Sequence, residues 1–102
     1  MPRLDQLLEL LAAEPNDAFL RYGVAMEYAK LGEHDKALVE FDELLRRDPD
    51  YVAAYFMAGR SCEQKEAIED AKKYYQRGID TAKRVGDHHA AGEISSALMM
   101  LE

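Results

Sequence analysis

The sequence predicts an all-α fold, an α-solenoid of about six helices packed as antiparallel pairs. Apolar residues recur with helical spacing along the 102-residue chain, and no segment alternates apolar and polar residues as a strand would. The pattern also repeats, because one constant shift of the sequence aligns Pro15 with Pro49 and Leu4 with Leu38. A fixed 34-residue period indicates a stack of similar helix pairs.

Each predicted helix carries an apolar stripe. The first stripe has the i, i+3, i+4, i+7 spacing of one helical face and consists of Leu4, Leu7, Leu8 and Leu11. Stripes of the same kind predict helices over 3–14, 18–31, 34–48, 51–65, 68–85 and 88–101. Because the connections are short, neighbouring helices must run antiparallel.

Residues that stop or cap helices set the predicted boundaries. Pro15 and Pro49 disfavour helical geometry in the residue before each of them, so a helix ends ahead of each. Gly32 and Gly86 suit the left-handed conformation that ends many helices. A short carboxylate can accept a first-turn N–H. The predicted N-caps are Asp17, Asp50 and Asp87.

Small and aromatic residues recur at fixed places in the two copies of the repeating unit. The first copy reads Arg21-x2-Val24-Ala25-x2-Tyr28, then Ala37-x3-Phe41, then Pro49. The second copy reads Tyr55-x2-Ala58-Gly59-x2-Cys62, then Ala71-x3-Tyr75, with Lys83 in place of proline. This pattern resembles the tetratricopeptide repeat, W-x2-L-G-x2-Y, then A-x3-F, then P.

The resemblance implies a small, bacterial-type tetratricopeptide repeat protein with two full repeats and flanking helices. A single domain is expected over 1–102. Its two repeats would occupy 18–51 and 52–85, with a half-repeat helix in 1–15 and a capping helix in 87–102. A capping helix hides the apolar face that the last repeat would otherwise expose.

Two departures from the repeat pattern bear on the fold. Arg21 stands where the family has tryptophan, and Glu66 stands where the first repeat has Gly32. Neither departure removes a small residue at which two helices meet, such as Ala25 or Gly59, so the predicted fold is kept.

Composition and motifs argue against catalysis, nucleic acid and membranes. Thirteen Lys and Arg against 20 Asp and Glu give a net charge of −7, which repels phosphate backbones. No apolar run approaches the roughly 18 residues of a bilayer span, and acidic residues interrupt the N-terminal leucines, so neither a membrane segment nor a signal peptide is expected. The sequence has no phosphate loop, nucleophile elbow or zinc-binding HExxH, and we expect no enzyme activity, cofactor or metal site.

The cysteine and the histidines are given structural roles. Cys62 is the only cysteine, which precludes an intrachain disulfide and fits a reducing, cytoplasmic location. It occupies a core position, so a small buried hydrophobic side chain is expected. His34 is expected to be exposed near a helix start. His88 and His89 point about 100° apart on a helix and cannot converge on one metal ion.

The resemblance implies a non-catalytic adaptor or scaffold that binds a peptide or helix of another protein in a concave groove. The first helix of each repeat would line that groove. Helix 18–31 also carries more apolar surface than one packing stripe needs. The expected groove residues are Phe19, Tyr22, Met26, Lys30, Phe56, Met57, Arg60 and Glu63. Burial of these residues beneath the N-terminal or capping helix is the open structural alternative.

Self-association is the alternative function. A core of two repeats is small, and short solenoids gain stability from neighbouring molecules. Three apolar residues near the chain end cover more than one face of the last predicted helix, and they are Met99, Met100 and Leu101. A homodimer formed through them or through the groove would hide this surface.

Overall fold

The computed structural model describes residues 2–102. Residue 1, where the predicted domain begins, lies outside the described residues. The helices are α1 (Pro2–Ala13), α2 (Ala18–Lys30), α3 (His34–Arg47), α4 (Val52–Gln64), α5 (Ile68–Val85) and α6 (His88–Met99). Residues 2–102 contain no strand, so the all-α prediction is confirmed, and every helix end lies within two residues of its predicted position.

Several helices begin at a side-chain cap or end at a left-handed glycine, as predicted. The Asp17 carboxylate accepts the backbone N–H of Leu20, in the first turn of α2, at 3.0 Å. Asp87 does the same for α6 by accepting the N–H of Ala90 at 3.1 Å. Gly86 ends α5 with φ at +82°. These signals act within a few residues, which is why the sequence alone reveals them.

The predicted cap at Asp50 is wrong. Tyr51 is the residue that precedes α4, and no side-chain hydrogen bond caps that helix. The Asp50 carboxylate instead accepts a hydrogen bond from the Arg84 guanidinium on α5. This ion pair joins two positions one full repeat apart and directs the carboxylate away from the first turn of α4.

The turn after α4 is left-handed without a glycine. Glu66 has a φ of +61°, and its counterpart in the preceding repeat, Gly32, has a φ of +79°. A residue with a Cβ pays roughly 1–2 kcal/mol for this conformation. The turn still closes the helix, because the N–H of Ala67 donates to the carbonyl of Cys62 at 2.8 Å.

Replacing Glu66 with glycine is expected to raise the free energy of unfolding by about 1 kcal/mol, because it removes the left-handed strain. Urea unfolding of the variant and the wild type measures the difference. The matched control is Gly32→Ala, where nothing lies within 4 Å of the added Cβ, so only backbone strain changes. That variant should lose about 1 kcal/mol. Equal stability of Glu66→Gly and the wild type would contradict the expectation.

Equivalent aromatic pairs pack in the two halves of the chain. The rings of Tyr22 and Phe41 have centroids 6.2 Å apart, and those of Phe56 and Tyr75, their counterparts in the next repeat, are 6.0 Å apart. Phe41 and Tyr75 are fully buried, each within its own cluster of core residues. The period of the sequence is therefore also a period of the packing.

Glycines set the closest approaches between paired helices. A Cβ added at Gly59 on α4 would lie 2.6 Å from Cδ1 of Tyr75 on α5. A Cβ added at Gly78 on α5 would lie 2.8 Å from Cβ of Tyr55 on α4. Both distances are shorter than carbon atoms tolerate. Each helix therefore presents a glycine to an aromatic residue of the other.

Hydrogen bonds compensate for the arginine in the tryptophan position. The Arg21 guanidinium donates to the Glu40 carboxylate at 2.7 Å and to the carbonyl of Pro15 at 3.2 Å. At the matching place in the second repeat, the hydroxyl of Tyr55 donates to the carbonyl of Pro49 at 2.7 Å. Two chemically different side chains thus hold the same turn in the two halves of the fold.

The helices form two layers, with α2, α4 and α6 in one and α1, α3 and α5 in the other. The Cα atoms of α2 and α4, and of α4 and α6, approach within 8 Å, whereas those of α3 and α5 do not. Closer spacing on one side curves the stack toward that side. The surface of α2, α4 and α6 is therefore the concave face.

Candidate functional site

A cleft of about 230 Å³ opens on the concave face between α2 and α4. We call it the α2–α4 cleft. Its lining residues are Met26, Ala29, Lys30, His34, Met57, Arg60, Ser61 and Gln64. The fold thereby brings Met26 and Lys30 of α2 opposite Met57 and Arg60 of α4, as the sequence predicted for a groove.

The floor of the α2–α4 cleft is apolar and its rim is cationic. Met26 and Met57 are half-buried against the core cluster that contains Phe41, while Lys30 and Arg60 are exposed. No acidic residue is among those that line the cleft. Unbranched methionine side chains adapt to apolar partners of different shape, and the cations can meet a carboxylate at the rim.

A second trough runs between α4 and α6. It consists of two clefts of about 270 and 140 Å³ that share Phe56, and we call it the α4–α6 trough. The Phe56 ring packs on Tyr75, and the guanidinium carbon of Arg60 lies 5.9 Å from the Phe56 ring centroid. Three carboxylates line this trough, those of Glu63, Asp87 and Glu93.

The Glu63 carboxylate is fixed at the rim of the α4–α6 trough. It accepts a hydrogen bond from the hydroxyl of Tyr75. Burial of the ring and the neighbouring Glu63 carboxylate together raise the pKa of the Tyr75 hydroxyl, which therefore stays protonated as a donor. Glu63 presents its negative charge in one defined place.

Models of the tetratricopeptide repeat match residues 17–61 and 52–85. A tetratricopeptide repeat domain protein from Salinibacter ruber, solved by NMR, is 35% identical to this chain, with a TM-score of 0.81. The alignment covers 86% of this chain and 89% of that one. The chain belongs to the tetratricopeptide repeat family.

Two further proteins are similar to this chain over most of its length. A TPR repeat-containing protein of Pseudomonas aeruginosa is 25% identical over 97% of this chain and 94% of its own length. The protein BPP2914 from Bordetella parapertussis is 24% identical and shares the fold, with a TM-score of 0.85 over 96% of this chain and 85% of that one. Tetratricopeptide proteins are typically non-catalytic, and the general role shown for this chain is that of a protein–protein interaction module.

Two residues predicted for the tetratricopeptide groove, Phe19 and Tyr22, line neither of the two clefts. Tyr22 is half-buried, and its ring packs against Phe41 and, with a centroid separation of 5.2 Å, against Tyr51. Burial raises the pKa of the Tyr22 hydroxyl. Phe19 is 74% exposed and lines neither the α2–α4 cleft nor the α4–α6 trough. The turn before α4 supplies Tyr51, which covers a part of α2 that the sequence pattern leaves open.

The N-terminal helix covers a different side of α2 and leaves the cleft open. A Cβ added at Gly23 would lie 3.8 Å from Cδ2 of Leu7 on α1. Nε of Arg3 donates to the buried Glu27 carboxylate at 3.1 Å. No α1 residue lines the α2–α4 cleft. The N-terminal helix therefore does not bury this part of the predicted groove, because α1 packs beside the cleft without covering it.

The cleft also contains a histidine contact that the sequence did not reveal. Nδ1 of His34 lies 3.4 Å from Oγ of the buried Ser61 on α4. The predicted exposed histidine is half-buried, because the first turn of α3 packs against α4. No local signal marks this contact, since the two residues are 27 positions apart.

The end of α6 carries the residues predicted for self-association. Met99 and Met100 are 73% and 85% exposed, and Met100 lines the α4–α6 trough. Leu101 is half-buried against the core cluster of its own chain that contains Tyr75. The exposed apolar surface at this end therefore belongs to the two methionines.

The cysteine is buried, and the metal-binding types of side chain are dispersed over the described residues. Cys62 is 1% exposed, and burial raises the pKa of its thiol to about 11, so the thiol is neutral at physiological pH. Among residues 2–102, no three His, Cys, Asp or Glu side chains are grouped closely enough to hold a metal ion. None of the described helices combines the length and the apolar character needed to cross a bilayer.

Proposed function

We propose that this tetratricopeptide protein is a non-catalytic adaptor that binds a peptide or helical segment of another protein on its concave face. The α2–α4 cleft carries this proposal, because a floor of two methionines opens to solvent between Lys30 and Arg60. An amphipathic helix or short apolar peptide suits such a floor. The groove is short, so we expect Kd values of about 10–100 μM for single peptides.

The contact residues in this proposal are those that line the two clefts. They are Met26, Lys30, Phe56, Met57, Arg60 and Glu63. Tyr22 is assigned an indirect role, because its ring holds α2 against Tyr51. Phe19 stays outside the proposed contact.

Peptide binding to the concave face is tested by NMR with a random peptide library as the probe. Short peptides selected on the immobilised full chain would be titrated into isotope-labelled protein. Amide shifts are expected to concentrate in α2, α4 and α6, since these helices line the clefts. Shifts confined to α3 and α5, or a library that yields no binding peptide, would reject the proposal.

Self-association is a second candidate, favoured by the exposure of Met99 and Met100. Light scattering after size exclusion gives the molar mass as a function of concentration. A dimer that becomes monomeric in Met99→Ser/Met100→Ser would support an interface at the end of α6. A monomer mass that stays constant to high micromolar concentration would exclude this candidate.

The cellular location and the repeat boundaries belong to the same proposal. A free, buried Cys62 suits a reducing compartment, and we place the protein in the cytoplasm. We assign the repeats to 18–51 and 52–85 within one domain, with α1 as a half-repeat helix and α6 as a cap. The equivalent aromatic pairs, one in each repeat, support this division.

A further inference from the structure

Charge is divided between the two clefts of the concave face. The α2–α4 cleft has Lys30 and Arg60 at its rim and no carboxylate among its lining residues. The α4–α6 trough is lined by the carboxylates of Glu63, Asp87 and Glu93, and Arg60, which lies between the two clefts, also lines the end of the trough near Glu63. Because acidic residues outnumber basic ones by 20 to 13 in the chain, a cleft with only cations differs from the average surface.

The two cations are available to a ligand. Neither Lys30 nor Arg60 forms an ion pair with another described residue, and the Arg60 guanidinium lies over the face of Phe56. Both side chains are exposed, so a partner carboxylate could reach them without moving the helices.

The carboxylates of the α4–α6 trough are engaged to different degrees. Glu63 accepts the Tyr75 hydroxyl, and Asp87 caps the first turn of α6. Glu93 lies 3.3 Å from the exposed His89 and has no other ion-pair partner among the described residues. Glu93 is therefore the carboxylate best placed to pair with a cation supplied by a ligand.

We infer, on the basis of the proposed function, that the concave face selects a peptide whose charges follow a fixed order. A peptide carboxylate lies in the α2–α4 cleft, an apolar side chain packs on Met57 and Phe56, and a basic side chain lies in the α4–α6 trough. The reverse order places like charges together, which opposes binding. Charge order, rather than apolar content alone, then determines which segment binds.

A second copy of this chain meets only part of this requirement. Near the end of α6, the exposed side chains of Met99, Met100 and Glu102 are apolar or acidic, and none of them is basic. This set of side chains matches the α2–α4 cleft and leaves the carboxylates of the α4–α6 trough without a cation. A peptide from another protein can satisfy both clefts.

The test uses peptides selected from a random phage-displayed library on the wild-type chain. We expect the enriched sequences to share the order acidic, apolar, basic. For a synthetic peptide of this kind, Lys30→Glu should raise Kd about tenfold, because attraction becomes repulsion. The control Lys83→Glu makes the same charge change at an exposed position of α5 and should alter Kd by less than about twofold.

Charge reversal of the peptide separates recognition from a structural effect of the substitution. Replacing the acidic residue of the peptide with lysine should weaken binding to the wild type and restore binding to Lys30→Glu. The equivalent experiment in the α4–α6 trough combines the variant Glu93→Lys with a peptide whose basic residue is replaced by glutamate. Circular dichroism and melting of each variant would confirm that the fold is kept.

The outcomes distinguish this inference from the proposed function. Enriched peptides without charge order, or equal effects of Lys30→Glu and Lys83→Glu, would overturn the inference and leave a concave-face adaptor. A library that yields no binding peptide would overturn both. A dimer that Lys30→Glu converts to a monomer would place a second copy in the α2–α4 cleft and overturn the inference as well.

Discussion

The substitution Gly59→Ala is expected to lower the free energy of unfolding by about 2–3 kcal/mol, because the added methyl group overlaps the ring of Tyr75. The ring has little freedom to shift, since Tyr75 is fully buried and its hydroxyl is bonded to Glu63. Alanine improves helix propensity over glycine by only about 1 kcal/mol, which is less than the cost of the overlap. Urea unfolding followed by circular dichroism measures the change.

Gly92→Ala is the matched control for Gly59→Ala. Gly92 lies in α6, is exposed and has no atom within 4 Å of an added Cβ. This variant should gain about 0.5–1 kcal/mol, since only helix propensity changes. If both glycine variants were stabilised, the close packing of α4 against Tyr75 would be disproved.

Truncating Ile94 to alanine is expected to cost about 3 kcal/mol, as for other buried aliphatic side chains. Ile94 is 1% exposed, and its Cδ1 lies 3.1 Å from the position that a Cβ at Gly78 would take. The side chain covers α5 where the next repeat of a longer array would pack. The stability of the variant, measured by thermal and urea unfolding, therefore reports whether α6 is part of the cooperative core.

Met99→Ala supplies the comparison on the same helix. Met99 is 73% exposed, so its truncation should change stability by less than about 0.5 kcal/mol. A loss at Ile94 no larger than the loss at Met99 would mean that α6 is attached to the repeats without stabilising them.

The candidate site was predictable where repeat register and helical spacing decide the position of a side chain. Met26, Lys30, Met57 and Arg60 occupy positions on two equivalent helices, so they line one cleft as the sequence predicted. Tyr22 lies at the edge of the same stripe. Such an edge position is core or groove depending on what packs beside it, and a sequence stripe contains no information about that neighbour.

Contacts between distant residues account for the other differences. Asp50 has the residue type of an N-cap, but Arg84 on α5 pairs with it. His34 has the polarity of a surface residue, but α4 brings Ser61 against it. In each case the local preference is worth about 1 kcal/mol, which one favourable tertiary contact can outweigh.

By itself the sequence determined the helical class, the helix ends and the register of the repeats, because these depend on local spacing and on residues such as Pro15 and Gly86. Only the tertiary structure decided which half-buried side chains remain accessible and how charge is distributed over the concave face. Helical periodicity fixes the direction of a side chain from its own helix. The neighbouring helices decide whether that direction leads to the core or to solvent.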